Sequence, residues 1–109
     1  MLIDFSNMEE QVIPGFLGGE GTFHTRMRVD DLGKIMRAAL EPGSSIGLHT
    51  HDTSSEIICI LSGKGKVLYD GEYESLTAGD CHYCPKGHSH SLINDSDAML
   101  EFFAVVSFQ

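Results

Sequence analysis

Apolar and polar positions along the chain fall into short runs of strand character rather than long helical stripes. The runs lie at roughly 22–29, 34–40, 46–51, 56–61, 65–69, 72–76, 80–84, 89–93 and 99–107. Turn signals separate them. Asp70-Gly71 between two such runs is a strong hairpin signal. Glu41-Pro42-Gly43, Pro85-Lys86-Gly87 and Asn94-Asp95-Ser96-Asp97 read as loops. Phe102 and Phe103 are adjacent in the last run, so only one of them can face an interior. Many short strands with regular turns predict an all-β sandwich or barrel. Residues 1–21 carry two glycine clusters and read as an irregular N-terminal arm, leaving 22–109 as a single domain.

One stretch adds chemistry to this frame. His49 and His51 stand one residue apart, and on a strand residues i and i+2 project from the same face. Asp52 to Ser55 is short and polar, suited to a turn. Glu56 then opens the apolar run Ile57-Ile58-Cys59-Ile60-Leu61, so a hairpin can return its carboxylate beside the two imidazoles. His90, from a distant strand, can supply a fourth ligand. Three imidazoles and a carboxylate suit a divalent transition metal (Mn, Fe, Ni or Zn) rather than Ca or Mg. Four protein ligands leave up to two positions on an octahedral ion for water, dioxygen or a substrate oxygen.

The same residues carry a family resemblance. Gly43, His49, His51, Glu56 and Gly63 match in order and spacing the first motif of the cupins. Gly79, Pro85, Gly87, His90 and Asn94 match the second, again without departure. The chain therefore resembles a small single-domain cupin. The resemblance implies a double-stranded β-helix, the jelly-roll barrel, with metal on His49, His51, Glu56 and His90. It also implies a range of chemistries: dioxygenases, decarboxylases, isomerases, epimerases, lyases and binding proteins. Among these, a metal-dependent enzyme on a small polar organic molecule is expected, leaning to oxygen-dependent chemistry. The alternatives are a binding or sensing module without turnover, and a metal-dependent isomerase or lyase. The shared fold does not choose between them.

Other residues have competing readings. His88 precedes His90 by two residues and is the candidate proton-transfer residue, or else a plain loop histidine. Cys81-His82-Tyr83-Cys84, followed by His88 and His90, is a conceivable zinc set, but cysteines three apart on a strand face opposite ways. Cys59, within an apolar run, is expected in the core. His24 and His82 read as ordinary strand residues, and Tyr69, Tyr73 and Tyr83 could line a cavity or cap the barrel.

Charge and composition narrow the partners. Seven Lys and Arg against sixteen Asp and Glu give a net charge of −9, which argues against nucleic acid. The scarcity of basic residues also lowers the case for a phosphosugar. No run approaches the ~20 apolar residues of a membrane helix, and residues 1–5 lack the basic start of a secretory signal. Three cysteines give no even disulfide framework, so a cytoplasmic setting is expected. The arm holds Leu2, Ile3, Phe5, Val12, Ile13, Phe16 and Leu17. It could bury these by adding to a neighbour's sheet edge, so a homodimer is expected.

Overall fold

The Asp70-Gly71 turn forms as its residue types require. In the computed structural model, which describes residues 1–109, both have positive φ, 48° and 86°. Two consecutive positive φ values match the right-handed twist of the flanking strands. The turn joins β6 (Lys64–Tyr69) to β7 (Glu72–Thr77), with Tyr69 opposite Glu72.

The other strands are β1 (Gln11–Pro14), β2 (Thr22–Asp30), β3 (Gly33–Leu40), β4 (His49–Thr50), β5 (Ser54–Ser62), β8 (Cys81–Cys84), β9 (Ser89–Ile93) and β10 (Leu100–Phe108). They form two antiparallel sheets. One has the order β1-β2-β3-β10-β5-β8 and the other β4-β9-β6-β7. Their inner faces share one core: Phe23, Leu40, Ile58, Phe102 and Leu100 from the first sheet, Val67, Leu76 and Leu92 from the second. Full burial of a Leu or Phe contributes about 1.5–3 kcal/mol, so this shared face is what holds the sheets together. The result is the expected all-β jelly roll.

Phe102 is the interior member of its pair, 1% exposed and stacked on Phe23, which stacks in turn on Phe16. Phe103 takes the outer face and meets Phe5 edge to face at 6.2 Å. The four motif glycines Gly43, Gly63, Gly79 and Gly87 all have positive φ, as tight turns require. Asn94 is fully buried and organises the loop between β9 and β10. Its amide donates to the carbonyls of Leu40, Glu41 and Ala98, while its Oδ1 accepts from the Ser96 backbone and hydroxyl.

Two sequence expectations shift. Residues 1–21 are not irregular throughout: Gln11 to Pro14 pair with Thr25 to Thr22 and form an edge strand. The pairing is to the chain's own β2. His24 ties this arm down, with Nδ1 2.7 Å from Glu10 and Nε2 2.6 Å from Glu41. Those two bonds, Glu41 first and Glu10 second, raise the His24 pKa against the opposing effect of burial. The expected strand over 46–51 shrinks to His49–Thr50, with an isolated bridge from Ser45 to Ile93. The arm is the cause. Gly47 N–H donates to Phe16 O at 3.0 Å, and a Cβ on Gly47 would stand 1.9 Å from Leu17 O. The backbone at Gly47 thus serves the arm and not a sheet ladder.

Candidate metal centre

Three strands bring the four sequence-predicted ligands to one point. β4 carries His49 directly opposite His90 of β9. His51 follows β4, and its backbone is pinned by His51 N–H to His88 O at 3.0 Å and Gly87 N–H to His51 O at 2.7 Å. Glu56 faces inward from β5 and is buried. The Nε2 atoms of His49, His51 and His90 and a Glu56 oxygen all lie within 4.8 Å of one another.

The individual separations fit a metal's coordination sphere. His51 Nε2 lies 2.9 Å from His90 Nε2, and His90 Nε2 lies 3.1 Å from His49 Nε2. Glu56 Oε1 is 2.9 Å from His90 Nε2, 3.1 Å from His51 Nε2 and 3.9 Å from His49 Nε2. A bond length of about 2.1 Å would put neighbouring octahedral ligands about 3.0 Å apart. Bare nitrogen lone pairs at such distances repel unless a cation or proton lies between them.

Each imidazole is oriented from behind. His49 Nδ1 donates to Gly47 O at 2.7 Å, which leaves Nε2 as the lone-pair nitrogen. His51 Nδ1 is 2.7 Å from Ser54 Oγ. His90 Nδ1 is 3.0 Å from His82 Nε2, and His82 Nδ1 is 3.0 Å from Glu74 Oε1. With His90 Nε2 turned inward, the consistent assignment runs outward. His90 donates to His82, and His82 donates to the Glu74 carboxylate. Such outer partners fix tautomer and raise ligand basicity.

The electrostatics follow. Burial acts to raise the Glu56 pKa, but the close approach of His49, His51 and His90 outweighs it and holds the carboxyl well below the usual range. Burial lowers the His90 pKa, against the pull of Glu56. For His49, burial is outweighed by Glu56 and the Gly47 carbonyl, and the pKa rises. The Glu56 carboxylate is therefore ionised and His90 is held toward its neutral form, the protonation states that ligation requires.

His51, His49 and Glu56 line a cavity of about 160 Å³. Its walls include Phe16, Met27, Met36 and Ile46, and Lys34 is the only lysine or arginine among its lining residues.

His88 is placed elsewhere. Its side chain is hydrogen-bonded to Asp70 and stacked on Tyr69, whose hydroxyl lies 3.2 Å from Nδ1, and it does not line the cavity. The bond to His88 and the Ser89 N–H hold the Asp70 carboxyl below its usual range. Tyr73 and Tyr83 are exposed.

His82, read from sequence as an ordinary strand residue, is buried and joined to the site. Strand parity carried the signal: on β8, His82 lies opposite inward-facing Ile58. Cys81 and Cys84 do face opposite ways, Cys81 exposed and Cys84 buried, so they form no joint ligand pair. Burial raises the Cys84 pKa to about 11. Cys59 is not in the core. It is half-buried on the outer face, because Glu56 faces inward and strand parity turns the third residue after it outward.

Residues 36–106 match the family model described as a cupin domain. The chain is a cupin. Over 97% of its length, and 93% of the relative's, this cupin is 32% identical to an oxalate-binding protein of Thermotoga maritima. It superposes with TM-score 0.93 and 31% identity on a crystal structure from Thermotoga maritima described as a predicted oxalate decarboxylase, each covered fully. An RmlC-like cupin from Shewanella frigidimarina shares the fold, with TM-score 0.79 and 19% identity over 95% of this chain and 86% of that one. No helix of the present cupin is long and apolar enough to cross a membrane.

Proposed function

We propose that this cupin holds one divalent transition-metal ion on His49, His51, Glu56 and His90 and uses it to bind a small oxygen-rich acid of the oxalate type. The observation that carries this reading is the convergence of four candidate ligand atoms within 4.8 Å, three of their residues lining a small cavity that Lys34 also lines. The ion would supply Lewis acidity to an acid's oxygens. The chain's own contributions are separable. Lys34 offers the second positive charge that a dianion needs. The apolar wall excludes water, which strengthens both attractions. The name of the Thermotoga relative, an oxalate-binding protein, supports the ligand class.

A titration of oxalate by calorimetry tests this, with protein-bound metal checked after desalting. Metal-loaded protein should bind oxalate and metal-free protein should not. Lys34→Met should weaken binding about 10-fold, since a bond to a charged group contributes about 1.5–3 kcal/mol. Metal-loaded protein that takes up no oxalate would sink the reading.

Turnover is the second reading, and oxygen-dependent chemistry its leading form. The cis-like ligand spacings near 3 Å favour it, because they leave coordination positions open. Product formation from bound acid in air but not under argon would identify it. His88 could take part only through an indirect path, since it bonds Asp70 instead of facing the cavity.

We also propose a homodimer in the cytoplasm, with residues 1–21 as an arm on the domain 22–109. β1 leaves one edge free; Val12 on it is 57% exposed, and Leu2 earlier in the arm is 89% exposed. Such an edge is a template for a second chain. Light scattering at micromolar concentration should give twice the mass of the 11.9 kDa chain, and a monomer's mass would contradict the dimer.

A further inference from the structure

Outside the metal centre, a second pair of reactive side chains meets on the outer face of the six-stranded sheet. Cys59 of β5 lies directly opposite Cys81 of β8, and their sulfurs are 3.3 Å apart. The register adds a geometric constraint. Ile60 N–H donates to Asp80 O and Gly79 N–H donates to Ile60 O, both at 2.9 Å, so Ile60 is a hydrogen-bonded position facing a bulge at Gly79-Asp80. Pairs alternate along an antiparallel ladder, so Cys59 and Cys81 occupy a non-hydrogen-bonded one. There the Cα atoms stand about 4.5 Å apart and the side chains approach closest. A disulfide accepts Cα separations of about 4.4–6.8 Å, and the spacing usual for such a pair falls at the short end of that range. Closing the sulfurs to about 2.05 Å needs a shift on the order of 1 Å in the side chains.

Accessibility favours the same pair. β8 is an edge strand, and Cys81 is exposed on it. Cys84, on the opposite face of the same strand, is fully buried. The bond shared with Cys59, and then burial, hold the Cys81 thiol above its ordinary range, so thiolate and exchange rate grow with pH.

We propose that Cys59 and Cys81 form a reversible dithiol–disulfide site that is oxidised by small-molecule disulfides. The Cys81 thiolate attacks one sulfur of the oxidant. A Cys81–sulfur bond forms, the oxidant's S–S bond breaks, and the first thiol leaves with the proton Cys81 gave up. The Cys59 thiolate then attacks Cys81 Sγ, forming the intramolecular disulfide and expelling the second thiol, which takes the Cys59 proton. Two protein thiols are oxidised and one small disulfide is reduced to two thiols. Exposed cross-strand disulfides are the labile kind, so excess dithiol reverses the reaction. The bond would clamp edge strand β8, which carries His82, to β5, which carries Glu56.

The test equilibrates the whole protein with oxidised glutathione at mildly alkaline pH, quenches with acid, and counts thiols by alkylation and mass spectrometry under denaturation. The expected result is a loss of two of the three thiols. Peptide mapping should find Cys59 joined to Cys81, and dithiothreitol should restore all three. Cys84→Ser should behave as wild type in forming the bond. Cys59→Ser should stop at a glutathione adduct on Cys81. Three thiols remaining, a crosslink that includes Cys84, or a chain-to-chain disulfide as the product would overturn the proposal.

Discussion

His51→Ala is expected to lose metal binding while the β fold survives. Four-ligand sites bind zinc with about 10–16 kcal/mol, so one ligand carries on the order of 3 kcal/mol. That corresponds to a fall of more than ~100-fold in affinity. The fold should persist because His51 is not part of the apolar cluster formed by residues such as Phe23, Leu40 and Phe102. Its removal also relieves a close approach, the 2.9 Å contact between His51 Nε2 and His90 Nε2. Metal titration by calorimetry and far-ultraviolet circular dichroism check the two halves separately. A variant that binds metal with wild-type affinity would refute the ligand assignment. A variant that is unfolded would refute the claim that the core stands without this residue.

His82→Leu is expected to weaken metal binding by about 10–100-fold, the usual cost of losing an outer partner of a ligating histidine. Leucine fills the space but accepts no hydrogen bond from His90 Nδ1. His90 is then free to populate the tautomer with hydrogen on Nε2, which points the wrong group at the ion. His82→Gln is the informative control, because its side-chain oxygen can accept the same bond. Glutamine should recover most of the affinity, and a purely space-filling role for His82 would leave glutamine no better than leucine. The measured quantity is the metal dissociation constant of each variant, with the hyperfine pattern of the metal-bound nitrogens as a second readout.

Much of this architecture is legible in the chain, for identifiable reasons. The strand runs and the Asp70-Gly71 turn depend on local residue types, and apart from the run at 46–51 they appear where the local pattern places them. The ligand set depends on a period-two rule and on motif spacing, so His49, His51, Glu56 and His90 stand out in the chain itself. What stays hidden depends on long-range pairing. β1 exists because Gln11 to Pro14 find Thr25 to Thr22, and nothing within four residues announces that partner. β4 is short because the arm occupies the backbone at Gly47, a contact between segments about thirty residues apart in sequence.

Cys59 and His82 are different cases, since strand parity places both. Ile57 to Leu61 is apolar on both faces, so hydrophobicity does not say which residues turn inward. Once Glu56 is fixed as an inward ligand, Ile58 and Ile60 must follow it and Cys59 must face out. The same reasoning on β8 sends His82 and Cys84 inward, and Cys81 and Tyr83 outward. Lys34 has no local signal. It reaches the cavity only because β3 begins beside the metal-facing end of the sheet.

The most direct measurement is an anomalous-difference map from crystals of tag-free protein, with data collected on both sides of the absorption edge of the metal found by elemental analysis. The account predicts a single strong peak at about 2.0–2.3 Å from Nε2 of His49, His51 and His90 and from the Glu56 carboxylate. No peak at that point after reconstitution with Mn, Fe, Ni or Zn, or a peak at the cysteine pair instead, would contradict it.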